Sequence, residues 1–417
     1  MSAVHAEVAI AERRPAMGEF IVIIAMMMAM TALSIDIMLP AFPAMRDYFG
    51  LNDANAVQLV ITWYVLGFAG GQILYGPLSD RYGRKPVLLV GLIVYALGSV
   101  VTFLAPDFES LLIARAVQGV GCAAPRVIAI AMVRDMFGGR RMARVMSFVM
   151  MIFIMVPVIA PSIGEGLLLF GQWQWIFLFL LTVSLLLMLF TQLRLPETRA
   201  SEDREPLSLA WLVKAFATTV GTRQTLGYTL ATGFVFGCLM GYINSAQQIL
   251  GSLYGLGSYF PLVFGIITIA LALAAMTNGR LVERVGMRRL SHAALVGFFA
   301  VAVIHVVIAV SMPGPPPLVV FCGLLALDLF CFGFIMPNFN AMAMEPLQRI
   351  AGTASSFVGC LTTGGAALFG WVIGQQYDGT VLPLTGGYAI LSAVALVIVL
   401  VTEKGKLFQS LHGEASP

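Results

Sequence analysis

Charge is what this chain has least of: Asp, Glu, Lys and Arg make up 11% of its 417 residues, where soluble domains carry about a quarter. With 59% hydrophobic residues and a mean hydropathy of +0.92, that scarcity excludes a soluble globular protein and requires an integral membrane protein. The net charge is only +3, so nothing points to nucleic acid or an acidic partner. Histidine is scarce as well. His5, His292, His305 and His412 build no His, Ser or carboxylate constellation at a membrane face, which argues against a polytopic acyl or glycosyl transferase. No Walker-type phosphate loop occurs, which argues against an ATP-driven pump. Five cysteines, Cys122, Cys238, Cys322, Cys331 and Cys360, lie in apolar segments without CxxC spacing. They imply neither a disulfide framework nor zinc, and the sequence calls for no other cofactor. A signal-peptide cleavage site is also missing behind Arg13-Arg14, since the apolar run continues to Leu39. That run is expected to remain as a first membrane span.

What the chain has in quantity is long apolar runs. A bilayer core needs about 20 apolar residues per helix, and on that basis twelve spans are predicted. Six fall at 18–39, 55–76, 86–105, 109–133, 145–168 and 173–193, and six at 225–249, 259–278, 290–311, 317–342, 352–375 and 383–402. The runs are too long for strands and do not alternate with period two. Fold class is therefore all-α membrane protein.

Between the second and third spans sits a charged turn, Gly76-Pro77-Leu78-Ser79-Asp80-Arg81-Tyr82-Gly83-Arg84-Lys85. Charges this dense are costly in hydrocarbon, so the turn belongs on a membrane face. The chain nearly repeats it at Gly279-Arg280-Leu281-Val282-Glu283-Arg284-Val285-Gly286-Met287-Arg288-Arg289. A duplicated unit follows: a six-helix bundle at 1–193, a linker at 194–222 and a second six-helix bundle at 223–417, as parallel repeats with substrate bound between them near mid-membrane. The linker carries Pro196, Pro206 and Glu202-Asp203-Arg204-Glu205, and Leu207 to Phe216 is expected to form a short surface helix. Almost every Lys and Arg outside the spans, from Arg13 and Arg14 to Lys404 and Lys406, falls on one face; only Arg46 falls on the other. By the positive-inside rule both termini are expected in the cytoplasm.

Five ionisable residues lie inside predicted spans: Asp36, Arg115, Arg126, Glu165 and Asp328. Intramembrane charge marks function by default. Asp36, in an apolar segment, is suited to exchange a proton; a fixed pair with an arginine is the alternative. Arg115, Gln118, Gly119, Cys122 and Arg126 fall on one helical stripe, with the two arginines about 16 Å apart along the axis. Asp36 and Arg115 are candidates for a pair that competes with a proton, or for a purely structural clamp. Pro157, Pro161, Gly164 and Gly166 soften the fifth span, as a gating hinge or as ordinary tolerated kinks. Glu165 is a second protonation candidate. In the tenth span Asp328 and Asn338 are candidate cavity residues, although hydrogen bonding between spans explains the asparagine equally well. Core filling accounts for most of the methionines and packing for His305.

The chain resembles the major facilitator superfamily over nearly its whole length. Residues 76–85 match that superfamily's signature G-x-L-x-D-R-x-G-R-K. Three further stretches resemble the bicyclomycin and chloramphenicol resistance type of drug:proton antiporter: Asp36 to Pro43, Arg115-Gln118-Gly119 through Val133-Arg134-Asp135, and Ala160-Pro161. The resemblance implies a conformational latch of Gly76, Asp80, Arg81, Gly83, Arg84 and Asp135, with Asp80 facing the eleventh span near Gly352. Glu283 and Arg284 would be its counterpart in the second half, weakened because Met287 stands where the first copy has Arg84. It further implies that Arg115 is the family's membrane arginine near the proton site and that Asp36 matches the acidic residue of the first span. From the residues themselves, proton coupling is expected through Asp36, Arg115 and Glu165, and a substrate cavity lined by Asp36, Gln118, Arg126, Asp328 and Asn338. Where the family has Gly-Pro and Gly-Gly in its fifth span, this chain has Ala160-Pro161 and Gly164-Glu165. The expected function is export of amphipathic, drug-like molecules across the cytoplasmic membrane in exchange for protons. Rivals are transport of one specific metabolite, a membrane enzyme, and a sensor that binds without transporting. Expected partners are the small-molecule substrate, protons and the lipid bilayer; the chain is expected to act as a monomer.

Overall fold

The structure, a computed structural model, describes residues 16–199, 202 and 208–408. Arg13, Arg14, most of the linker cluster (Asp203, Arg204, Glu205 and Pro206), His5 and His412 lie outside the described residues. Among the described residues every regular element is helical, and twelve helices are long and apolar enough to cross a membrane. They are α1 (Met17–Asp36), α2 (Leu59–Tyr82), α3 (Arg84–Phe103), α4 (Phe108–Met136), α5 (Gly139–Phe170), α6 (Gln174–Arg194), α7 (Arg223–Ala246), α8 (Phe260–Val285), α9 (Met287–Ser311), α10 (Leu318–Met344), α11 (Ala351–Gln375) and α12 (Leu382–Thr402). Each overlaps one predicted span.

Departures from the predicted bounds have local causes. α1 stops at Asp36 because Pro40, four residues on, has no N–H for the Asp36 carbonyl and its ring would clash with that carbonyl in a continued α-helix; the chain turns through Leu39–Ala41 into a short helix, Phe42–Tyr48. α7 runs on into a π-helical turn over Gln247–Leu253, a widening that is rare and concentrated at functional places. The surface helix exists, but at Leu209–Gly221.

The two copies of the charged turn share a backbone. Gly83 has φ 99° and ψ 156°, and Gly286 has φ 87° and ψ 149°. That region of conformational space is open essentially to glycine alone. The sequence repeat is thus a structural repeat at the residue that stops one helix and starts the next.

The chain forms two compact units. The first comprises the described part of Met1–Met38 with Trp63–Leu209, and the second comprises Leu39–Thr62 with Ala210 onward. In the first, α4 has both α2 and α3 as neighbours at backbone distance. A methyl group on Gly119 would strike the Tyr64 carbonyl of α2, so this helix pair needs a bare Cα to approach as it does. The second unit is assembled around α7, which packs on α10, α11 and α12.

Candidate functional site

In the first unit the site is built around Arg115, which is 0% exposed. Its position on α4 points the guanidinium at α1, where Nη2 donates to the Ser34 carbonyl at 3.0 Å. Nη1 donates to Gln118 Oε1, one turn along the same helix. The plane also lies over the Tyr64 ring, 4.3 Å from its centroid, and 5.7 Å from that of Phe177. Gln118 in turn donates from Nε2 to Ser99 Oγ at 2.7 Å. Ser34 Oγ and the Tyr95 hydroxyl are 2.6 Å apart. A buried network therefore joins α1, α3 and α4 around one cation. Gln118 is itself 0% exposed, so it lines no open cavity in this structure and instead orients Arg115. Sequence reading missed Tyr64, Tyr95 and Ser99. The spacing of Tyr95, Ser99 and Thr102 on one stripe of α3 was the available signal.

Asp36 is the last residue of α1 and 3% exposed, and its Oδ1 has no hydrogen-bond partner. No ion pair joins it to Arg115: the guanidinium is taken by the carbonyl two residues earlier. α5 lies against the chain just after Asp36, because a methyl group on Gly164 would overlap the Ile37 carbonyl oxygen. Glu165, next to that contact, is half-buried and makes no hydrogen bond or ion pair among the described residues. α5 passes through Pro157 and Pro161 as one continuous helix. Arg126, also half-buried, lies 5.0 Å from the Phe153 ring centroid, and its Nη1 has no partner.

The signature turn forms a second cluster at the other end of these helices. Arg84, 1% exposed, reaches Asp80 Oδ1 at 2.7 Å, Ser79 Oγ at 2.7 Å and Asp135 Oδ2 at 2.9 Å. Glu197, which sequence reading missed, accepts the backbone N–H groups of Arg84 and Lys85 at 2.9 and 3.1 Å. A carboxylate at the first turn of α3 meets the unpaired donors and positive dipole end there. Lys85 Nζ donates to the carbonyls of Gln192 and Leu195 at the end of α6, the complementary arrangement at a C-terminus. Gly76 accepts from Ser79 Oγ, while Arg81 is exposed.

The second copy differs from expectation. Glu283 and Arg284 are exposed and make no ion pair among the described residues. Arg288, the counterpart of Lys85, pairs with Glu403 Oε2 at 2.6 Å, just past α12. Glu403 Oε1 also accepts from the Tyr228 hydroxyl at 2.6 Å, which sits 3.0 Å from His292 Nε2. Met287 cannot supply the cation that Arg84 supplies, and the anchoring shifts one residue along.

Asp328 and Asn338 belong to the second unit. Asn338 Nδ2 donates to Asn278 Oδ1 at 2.8 Å, a bond between α10 and α8; Asp328 is fully buried. Sequence reading also missed an amide clasp in this unit. Asn55 Nδ2 donates to the carbonyls of Gln375 and Tyr377 at 3.2 and 2.8 Å, and Gln375 Nε2 donates back to the Asn55 carbonyl at 2.9 Å. Gln248, in the π turn, donates to the Ala54 carbonyl and Asn55 Oδ1 and accepts from Gln58. A cleft of about 770 Å³ opens between the surface helix and the turn at Glu345–Ile350, lined by Trp211, Lys214 and Gln348 among others; none of the predicted site residues lines it.

A twelve-helix membrane fold, repeated charged turns and a buried arginine network together define a transporter of the Major Facilitator Superfamily, and the chain belongs to it: the model of that family matches residues 24–371. Among individual relatives, it is 31% identical over 347 residues to the uncharacterized MFS-type transporter YdgK of Bacillus subtilis, covering 81% of this chain and 84% of that one. It is 28% identical over 383 residues to the bicyclomycin resistance protein homolog of Haemophilus influenzae, covering 90% and 94%. The fold resembles that of the xylose transporter XylE from E. coli, with a TM-score of 0.73 at 11% identity over 92% of this chain and 97% of that one.

Proposed function

We propose that this protein exports amphipathic, drug-like small molecules across the cytoplasmic membrane in exchange for protons, by alternating access. The observation that carries the reading is a buried carboxyl, Asp36, without a partner on Oδ1, two residues from the carbonyl that holds Arg115. When Asp36 carries a proton, Arg115 rests on Ser34 and Gln118. When the proton leaves, the carboxylate competes with the Ser34 carbonyl for the guanidinium, because an ionised acceptor adds a full-charge attraction that a neutral carbonyl lacks. That exchange pulls on the end of α1 and on α4. Glu165, beside the contact of α5 with Ile37, is placed to respond to the same shift. One proton moved down 100 mV supplies about 2.3 kcal/mol to drive the exchange. The relative named for bicyclomycin resistance favours drug-like cargo.

The test is transport into everted vesicles under an imposed pH gradient, with cationic, neutral and anionic compounds. The wild type should acidify or alkalise the lumen in step with several structurally unrelated compounds, and Asp36→Asn should abolish the coupling while leaving the protein folded. Unchanged pH-driven transport in Asp36→Asn would remove Asp36 from the mechanism. A single strongly preferred polar solute would point to a dedicated metabolite transporter.

A further inference from the structure

The second unit contains a buried acid that the scheme above leaves idle. Asp328 lies ten residues into α10 and is 0% exposed, and neither of its carboxyl oxygens has a hydrogen-bond partner. Asn338, ten residues further along α10, shows how the same helix treats another polar group: its amide is bonded to Asn278 and to the Phe334 carbonyl. Asp328 has been given nothing comparable. A buried ionised carboxylate needs a cation or several donors, and in this conformation neither oxygen is bonded to one. The titratable groups that face it are Cys238 from α7 and Tyr388 from α12, with Cys331 on its own helix. The Tyr388 hydroxyl is unpartnered too, and its ring is stacked on Phe298 at 5.5 Å. One donor therefore stands by, unused, for the moment the carboxyl loses its proton.

We propose that Asp328 is a second proton-carrying group, occupied by a proton in this conformation and emptied when α10 is exposed to water, so that each transport cycle moves one proton through each unit. The proposal rests on the proton coupling argued above. The step is a simple acid ionisation: the O–H bond of the carboxylic acid breaks, the proton passes to water, and the carboxylate that remains takes the Tyr388 hydroxyl as donor. Asp36 and Asp328 then have parallel roles without being in parallel positions, one at the end of the first helix of its unit and the other inside α10.

The full chain, purified and reconstituted in sealed vesicles, supplies two readouts. Infrared difference spectra recorded across a pH titration count protonated carboxyl groups directly, without any substrate. Asp328→Asn should remove one acid carbonyl band that Asp36→Asn leaves in place. Proton and substrate fluxes measured together should fall from two protons per substrate in the wild type to one in Asp328→Asn, a two-fold drop. Asp328→Glu, which keeps the carboxyl, should restore both the band and the ratio, and it serves if the asparagine variant fails to insert. An unchanged band pattern or flux ratio in Asp328→Asn, or a glutamate variant that behaves as the asparagine one, would overturn the proposal. Absence of pH-driven transport in the wild type would instead overturn the coupling itself, a result visible before any variant is made.

Discussion

Arg115 shows how neutral groups can hold a buried charge in a membrane protein. Its guanidinium meets a main-chain carbonyl, an amide oxygen and the faces of two aromatic rings, all neutral groups, and hydrogen bonds from a charged donor contribute about 1.5–3 kcal/mol each. Arginine suits this place because its planar fork serves two acceptors while stacking on an aromatic face, which an ammonium cannot do. Arg115→Lys should therefore keep the charge and lose the geometry. Loss of one such bond, about 1.4 kcal/mol or more, corresponds to at least a tenfold fall in pH-driven transport, while protein yield in the membrane stays close to wild type. Equal transport rates in the two proteins would show that charge alone is used. At Arg84 the opposite solution applies, since Asp80 and Asp135 neutralise it directly. Arg84 is tied to structure at one end of the helices, and Arg115 is left with exchangeable partners inside them.

At the scale of elements, the π turn of Gln247–Leu253 is a place where local propensity gives way to a tertiary demand. It puts Gln248 where three amide bonds converge from Ala54, Asn55 and Gln58. Gln58 is 0% exposed and Gln248 6%, so the bonds are shielded from competing water. At about 1 kcal/mol net per bond, Gln248→Ala should lower stability by roughly 2–3 kcal/mol, the upper part of the range arising from donors left buried and unpaired. Thermal unfolding of the purified protein would report the loss, and hydrogen exchange should speed up specifically over residues 54–58. If exchange there stayed as slow as in the wild type, the clasp would not be what holds this segment. All its members are amides or carbonyls except the Tyr377 hydroxyl, which donates to the Gln248 carbonyl at 3.2 Å, so the clasp has no carboxylate or amine to titrate across the physiological range.

For the whole molecule, we propose that the twelve membrane-spanning helices bring both ends of the chain to one side of the membrane and that this side, from the distribution of Lys and Arg, is the cytoplasm. A reporter that fluoresces only in the cytoplasm, fused after either terminus, should be bright, and one active only outside the cytoplasm should be silent at both. Opposite signals at the two ends would require an odd number of crossings.

The twelve helices, the repeat and the buried charges were legible because each follows from an interaction that acts along the chain. Apolar runs of span length have one stable form in lipid, and the glycines at 83 and 286 announce a backbone that other residues resist. Identity alone could not say which acceptor Arg115 would choose, that Glu197 would cap α3, or that Arg288 rather than Arg284 would find a carboxylate. Those outcomes depend on which helices come side by side and at what depth. Asp36 and Asp328 make the point most clearly: the sequence by itself established that each is an acid within an apolar helix, while only packing decided that neither has a cation to answer it. The reason is physical, since hydrophobicity is a property of the segment and a hydrogen bond is a property of two segments that have already met.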